Sequence, residues 1–142
     1  MGISPCCGKE ISKGKFFYNN GDYYIGDLID SKPNGKGSLY YKNGDIKYVG
    51  DFVNGKKEGF GNFYFDQNNW HVMEINKKFY FNVGDFYTGQ WKNDNMNGKG
   101  TIYLKGGSIK YEGDFVDNTF TGFGKYYFES GKYYLGQLLD DM

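Results

Sequence analysis

The chain has 142 residues, 17 Lys+Arg against 17 Asp+Glu, 21% aromatic residues and 23 glycines, with no alanine and two prolines. Zero net charge leaves no field to hold a polyanion, so nucleic acid is not an expected partner, and the shortage of helix formers beside abundant strand and turn formers excludes long helices. No run of eighteen apolar residues exists and no signal-peptide core follows Met1, so the chain is expected to stay in the cytosol.

In chain order, residues 1–8 read as a free N-terminal segment and 9–23 as a closing half-unit, in which Gly14, Phe16, Phe17, Tyr18 and Gly21 keep a spacing that recurs later. Complete units start at Tyr24 and Tyr48. Each opens Tyr-x-Gly with a large residue at its fifth position, Leu28 or Phe52, alternating with Asp27 or Asp51 in the period of two of a strand. A polar stretch such as Asp30 to Gly35 reads as a turn. A Gly-x-Gly pair follows, its first glycine eleven residues after the tyrosine, and then a second apolar strand, Leu39 to Tyr41 or Phe63 to Phe65. A return turn carries Gly44, with Asn68 in that place in the second unit.

Residues 66–86 are expected to form an abbreviated hairpin, with a strand from Trp70 to Ile75, a turn at Asn76-Lys77-Lys78 and a return strand at Phe79-Tyr80-Phe81. The alternative is an inserted loop that breaks the array into two blocks. Two further complete units start at Tyr87 and Tyr111, with Trp91 and Phe115 at the fifth position. Tyr134, Gly136 and Leu138 make an opening half-unit over 134–142. The tyrosines are spaced by 24, 39, 24 and 23 residues, so a hairpin of about 23 residues is being stacked and the fold class is all-β.

These motifs resemble the MORN repeat family over residues 8 to 142, because the same offsets recur in four full units and two halves. The resemblance implies an elongated single-layer antiparallel sheet of successive β-hairpins with an aromatic-lined groove. It further implies a scaffold or adaptor in cytoskeletal, ciliary or membrane-associated assemblies.

The aromatic face is the first candidate site: Tyr24, Tyr48, Phe52, Tyr87, Trp91, Tyr111, Phe115 and Tyr134 are expected to line a groove for a partner's helix or extended segment. The plainer reading is that the tyrosines stack on their neighbours and hold the array together. At the amino terminus, Gly2 is a candidate for myristoylation and Cys6 and Cys7 for palmitoylation, a pairing that would tether the chain to the cytoplasmic face of a membrane.

No catalytic, metal or cofactor set is expected. His71 is the only histidine and reads as ordinary packing, and the Gly-Lys-Gly pairs at Gly35 and Gly98 lack the Lys-Ser/Thr of a phosphate loop. Asp27, Asp51 and Asp114 recur at one position, which suggests a solvated or backbone-capping role. The expected function is a non-enzymatic adaptor that binds a protein partner. The alternatives are a structural part of an axoneme or other cytoskeletal assembly, or the targeting arm of a separate enzyme. The two half-units also leave strand edges that could pair between molecules.

Overall fold

The hairpins are set by two-residue turns. Asp30 and Ser31, Asn54 and Gly55, Asn93 and Asp94, and Asp117 and Asn118 all have positive φ, between 46° and 80°, the paired left-handed conformation whose twist matches that of the flanking strands. The polar stretch from Asp30 to Gly35, expected as a turn, therefore turns within two residues and the strand resumes at Lys32, as it does at Asn95 after the third tight turn.

The computed structural model describes residues 2–3, 10–66, 74–75, 77–78 and 83–138, with side chains over 11–66 and 83–137. Its strands are β1 (Gly2–Ile3), β2 (Glu10–Phe17), β3 (Tyr23–Ile29), β4 (Lys32–Tyr40), β5 (Ile46–Val53), β6 (Lys56–Tyr64), β7 (Glu74–Ile75), β8 (Lys77–Lys78), β9 (Phe86–Lys92), β10 (Asn95–Tyr103), β11 (Ile109–Val116), β12 (Thr119–Tyr127) and β13 (Tyr133–Leu138). Eleven of them form one open antiparallel sheet in chain order, β6 pairing directly with β9, while β7 and β8 pair only with each other. No helix occurs among the described residues. At about 4.8 Å per neighbouring pair the sheet runs roughly 48 Å across its strands.

The long gap is a graft into a return turn. In a regular turn the Tyr18 N–H donates to Asp22 O at 2.9 Å and the Gly21 N–H to Tyr18 O at 3.1 Å. The Phe65 N–H donates to Asp85 O at 2.9 Å and the Gly84 N–H to Phe65 O at 3.3 Å, the same two bonds. Eighteen positions lie between Phe65 and Gly84 where two lie between Tyr18 and Gly21. Among the described residues the insertion adds no strand to the main sheet, and β6 and β9 pair directly across it. Lys77 and Lys78, expected within a turn, lie on β8; residues 67–73, 76 and 79–82, including Trp70 and His71, lie outside the described residues.

A row of glycines crosses ten strands. Gly14, Gly26, Gly37, Gly50, Gly61, Gly89, Gly100, Gly113, Gly124 and Gly136 each face the next in register. A Cβ added at Gly26 would lie 2.5 Å from Gly37 Cα, and one added at Gly37 or Gly61 would overlap the ring of Tyr24 or Tyr48. Only glycine lets the backbones and rings approach this closely.

The strands bend sharply along that row. Tyr48 and Phe52, on the two sides of Gly50, have ring centroids 5.0 Å apart, although four residues of flat strand span about 13 Å. Beside each bend lies a bulge in which three residues face one: Asn34, Gly35 and Lys36 oppose Asp27 between the pairs Gly26↔Gly37 and Leu28↔Pro33. Gly35, at the middle of the bulge, has φ +88°, which explains the first glycine of Gly-x-Gly.

Candidate functional site

The bend brings each unit's tyrosine and fifth-position residue together, and the next unit's residue joins them. Phe52 meets Tyr24 at 4.8 Å and Tyr48 at 5.0 Å, Trp91 meets Tyr48 and Tyr87 at 5.3 Å each, and Phe115 meets Tyr87 at 4.9 Å and Tyr111 at 5.2 Å. All six contacts are edge-to-face, the arrangement the ring quadrupole favours. The ladder therefore runs unbroken across the insertion through the contact of Tyr48 with Trp91.

The tyrosine hydroxyls explain why these positions are not phenylalanine. Tyr24 donates to Asp27 O at 2.7 Å, Tyr48 to Asp51 O at 3.0 Å, Tyr87 to Gln90 O at 2.7 Å, Tyr111 to Asp114 O at 2.9 Å and Tyr134 to Gln137 O at 2.9 Å. For the first four, the accepting carbonyl belongs to the residue opposite the bulge, which has no register partner there. The hydroxyl gives that carbonyl a hydrogen bond where the bulge interrupts the register. Burial pushes the hydroxyls of Tyr24, Tyr48, Tyr87 and Tyr111 well above the ordinary tyrosine pKa.

This geometry corrects the expected groove. Tyr24, Tyr48, Phe52, Tyr87, Trp91, Tyr111 and Phe115 are all buried against one another. A single layer can hide its rings because it folds over them along the glycine row. Only Tyr134 remains 41% exposed. The seven buried rings form the core beneath the surface where a partner would sit and are not themselves open to one.

The recurring carboxylates cap the bulges. Asp27 Oδ2 accepts the Lys36 N–H at 3.3 Å, Asp51 Oδ2 the Phe60 N–H at 3.2 Å and Asp114 Oδ2 the Phe123 N–H at 3.3 Å, with Gln90 doing the same for Lys99 at 2.7 Å. The lysines Lys36 and Lys99 also pair with Asp51 and Asp114 in the next unit. These pairs are exposed on the lysine side and contribute little.

A cavity of about 160 Å³ is walled by Tyr18, Asp22, Lys47, Lys57 and, from the unit after the insertion, Asp94, with Leu39 and Phe52 also lining it. The bend brings opposite margins of the sheet together here, since the Tyr18 hydroxyl, beyond the end of β2, donates to Gly55 O in the turn after β5 at 3.4 Å. Lys47 Nζ is 2.6 Å from Asp22 Oδ2, and Asp22 also accepts from Asn20 Nδ2 at 3.0 Å and the Lys42 N–H at 3.2 Å. Lys57 Nζ lies 3.5 Å from Asp94 Oδ1 and sits 5.4 Å from the Trp91 ring, 5.7 Å from Phe63 and 5.8 Å from Tyr48. Burial lowers the Lys57 pKa, with Asp94 acting in the other direction. Burial, then Asp94 and Asp22, pushes the Tyr18 hydroxyl up to about 12.

Sequence reasoning missed Lys57 and the buried carboxylates Asp22 and Asp85. The signal was present: positions 33, 57, 96 and 120 follow the four tight turns at one offset, and they read Pro33, Lys57, Met96 and Phe120. It also missed a second aromatic band on the opposite face of the sheet. There Tyr23 stacks on Tyr40 at 5.1 Å and Phe86 on Tyr103 at 4.9 Å, each pair within 16° of parallel. Phe60 and Phe123, at the places of Lys36 and Lys99, stand 60% and 50% exposed on that face. Gly2 pairs with Ile11 at the sheet edge, whereas Cys6 and Cys7 lie outside the described residues. Among the described residues no group of His, Cys, Asp and Glu is placed to hold a metal ion.

A search of curated proteins gives no match. The family model of the MORN repeat matches residues 24–46, 48–69, 87–109 and 111–133, more than half of the chain. Each matched segment opens on a ladder tyrosine, Tyr24, Tyr48, Tyr87 or Tyr111. By its repeats and by the hairpins they build, the chain belongs to the MORN repeat family.

Proposed function

We propose that the chain is a non-enzymatic adaptor that holds a segment of a protein partner against the bent face of the array, at the cavity between Tyr18 and Asp94. MORN repeats suggest a repeat-based scaffold or adaptor role, and the proteins that carry them are generally non-catalytic scaffolds. The observation that carries the reading is that the ring ladder is sealed while a polar-walled cavity stays open. A sheet whose core is complete without a partner is a rigid platform, and rigidity lowers the ordering cost of binding.

The test is site-specific photo-cross-linking in the native cell, with the probe at Asn20 on the cavity wall or at Val49 on the opposite face. One partner segment captured from Asn20 and not from Val49 supports the adaptor reading. Equal capture from both positions, or none from Asn20, counts against it.

A lipid tether is the second element of the proposal. It is favoured by the Met1-Gly2 start and the adjacent Cys6 and Cys7, since one acyl chain holds a protein only marginally and two hold it stably. Intact mass should show the acyl shifts, and Gly2→Ala should release the chain from membranes. Unchanged fractionation together with co-purification on detergent-extracted axonemes would favour the structural role without lipid.

A further inference from the structure

The four residues two positions after the tight turns share one place in the repeat. Pro33, Met96 and Phe120 are apolar and buried there, so the place belongs to the core. Lys57 takes it in the second unit, its side chain 13% exposed. A lysine in a core position needs a partner for its ammonium, because a buried charge left incompletely paired is costly.

The pairing that Lys57 has is incomplete. Its ammonium reaches Asp94 Oδ1 at 3.5 Å, beyond the roughly 2.7–2.9 Å of a charge-assisted hydrogen bond. That same oxygen already accepts the Lys57 backbone N–H at 2.8 Å. The three rings around the ammonium supply cation–π attraction and no hydrogen bond. Tyr18, the neighbouring donor on the wall, meets Gly55 O only at 3.4 Å. Asp22, by contrast, is closed off by Asn20, Lys42 and Lys47.

The cavity therefore presents an ammonium held by one long ion pair and a hydroxyl held by one long hydrogen bond, beside an Asp22 carboxylate that is already engaged. A group that accepts hydrogen bonds and carries one negative charge fits it. A doubly charged phosphate is disfavoured by the carboxylates of Asp22 and Asp94, which line the same cavity, since like charges repel. The space suits a carboxylate and its short methylene stem, with Phe52 and Leu39 in the lining.

We propose that this cavity receives the carboxylate of a glutamate or aspartate on the partner segment, which pairs with Lys57 Nζ and accepts a hydrogen bond from Tyr18 Oη. The proposal rests on the adaptor reading for the source of the carboxylate; a free small carboxylate would have the same chemistry.

The experiment titrates sodium propionate, at constant ionic strength and neutral pH, into the isotope-labelled chain alone and follows the Lys57 and Tyr18 side-chain resonances. Propionate should give saturable shifts at both, and propionamide, its neutral counterpart, should give none. Lys57→Met, which places the residue type of Met96 at this position and so suits the fold, should weaken binding by at least about tenfold. Asp94→Asn keeps an oxygen for the Lys57 N–H and removes the competing charge, so it should tighten binding, a gain that damage to the fold would not produce. Acetyl-Ala-Glu-Ala-amide should bind tighter than propionate, and its Gln counterpart should not bind.

No saturable propionate shift, equal affinity in Lys57→Met, or no gain in Asp94→Asn would overturn the carboxylate site. A peptide no tighter than propionate would overturn the partner segment as the source. Because the chain is titrated alone, failure here sinks the carboxylate site whatever the cross-linking shows. Propionate binding with no cross-link from Asn20 would instead sink the adaptor reading.

Discussion

Residues 24–66 and 87–129 are two copies of a two-unit block, offset by 63 positions, and they differ at places inside the core as well as on the surface. Tyr24 and Tyr87, Phe52 and Phe115, and Lys36 and Lys99 correspond, as do the buried carboxylates Asp22 and Asp85 just ahead of each block. Yet Lys57 corresponds to Phe120. In the second block the phenylalanine stacks on Tyr111 at 4.6 Å, while in the first the lysine leaves a charge beside an open cavity. The shared positions build the sheet, and the exchange of Phe120 for Lys57 makes a place where something else can bind.

The comparison breaks most severely if the shared rings are removed. Phe52→Ala and Phe115→Ala should each cost about 3–5 kcal/mol, because each empties a site between two tyrosines. Urea unfolding of the two variants should give similar losses; a cost below about 1 kcal/mol in either would remove that ring from the core. Loss of partner binding in such variants would then report a damaged fold and not a lost contact.

The shared glycines come next. Gly61→Ala and Gly124→Ala should each cost about 3 kcal/mol, since the added methyl would overlap the Tyr48 or Tyr111 ring. Gly106→Ala, where nothing lies within 4 Å of the added atom, should stay within about 0.5 kcal/mol in the same assay.

Both blocks should fail together in alkali. Tyr24, Tyr48, Tyr87 and Tyr111 have folded pKa values raised above the ordinary 10.0, so the folded state holds protons that the unfolded state releases. Their stabilisation is full below pH 10 and is lost as pH rises toward the folded values. The tyrosinate signal of these four should lag the ordinary titration and then appear in one cooperative step with unfolding. Independent titration of these four at ordinary pH would contradict their burial.

The blocks are made alike by Lys57→Phe. Replacing the incompletely paired charge with the ring that its counterpart uses should raise stability by about 1 kcal/mol at neutral pH. The lowered Lys57 pKa has the opposite sign to the tyrosines: the unfolded lysine binds the proton more tightly, so its penalty fades as pH rises toward the ordinary 10.5. The advantage of the variant should shrink over that range, and a constant difference would place the ammonium in water.

Much of the fold was legible because its constraints repeat. Tyr-x-Gly and Gly-x-Gly fixed the hairpin, its period and the length of the insertion, since each motif answers to one bend or one bulge. Turn lengths were overread because Asn34 and Asn97 are polar yet sit on strands within bulges. The ring face was misread for a physical reason: alternation tells which side a residue takes, and cannot tell that the sheet bends until that side is closed. Lys57 was hidden because a lysine in a polar stretch resembles turn chemistry until its unit is laid against Phe120. The aromatic band of Tyr23, Tyr40, Phe86 and Tyr103 was hidden by the same alternation, which assigns one face to the core and says little of rings on the other.

The smallest expected effect is the most pointed. Deleting residues 67–82 leaves Asp66 and Val83 between Phe65 and Gly84, the length of a regular return turn, and should change stability by no more than about 1 kcal/mol.

A nuclear Overhauser spectrum of the intact chain reads the continuity of the array directly. Contacts linking Gly61 to Gly89 and the Tyr48 ring to the Trp91 ring are expected, because β6 and β9 are neighbours and the ladder passes between them. Contacts from Gly61 to residues 70–81 in their place would put the inserted hairpin inside the sheet and separate the two blocks.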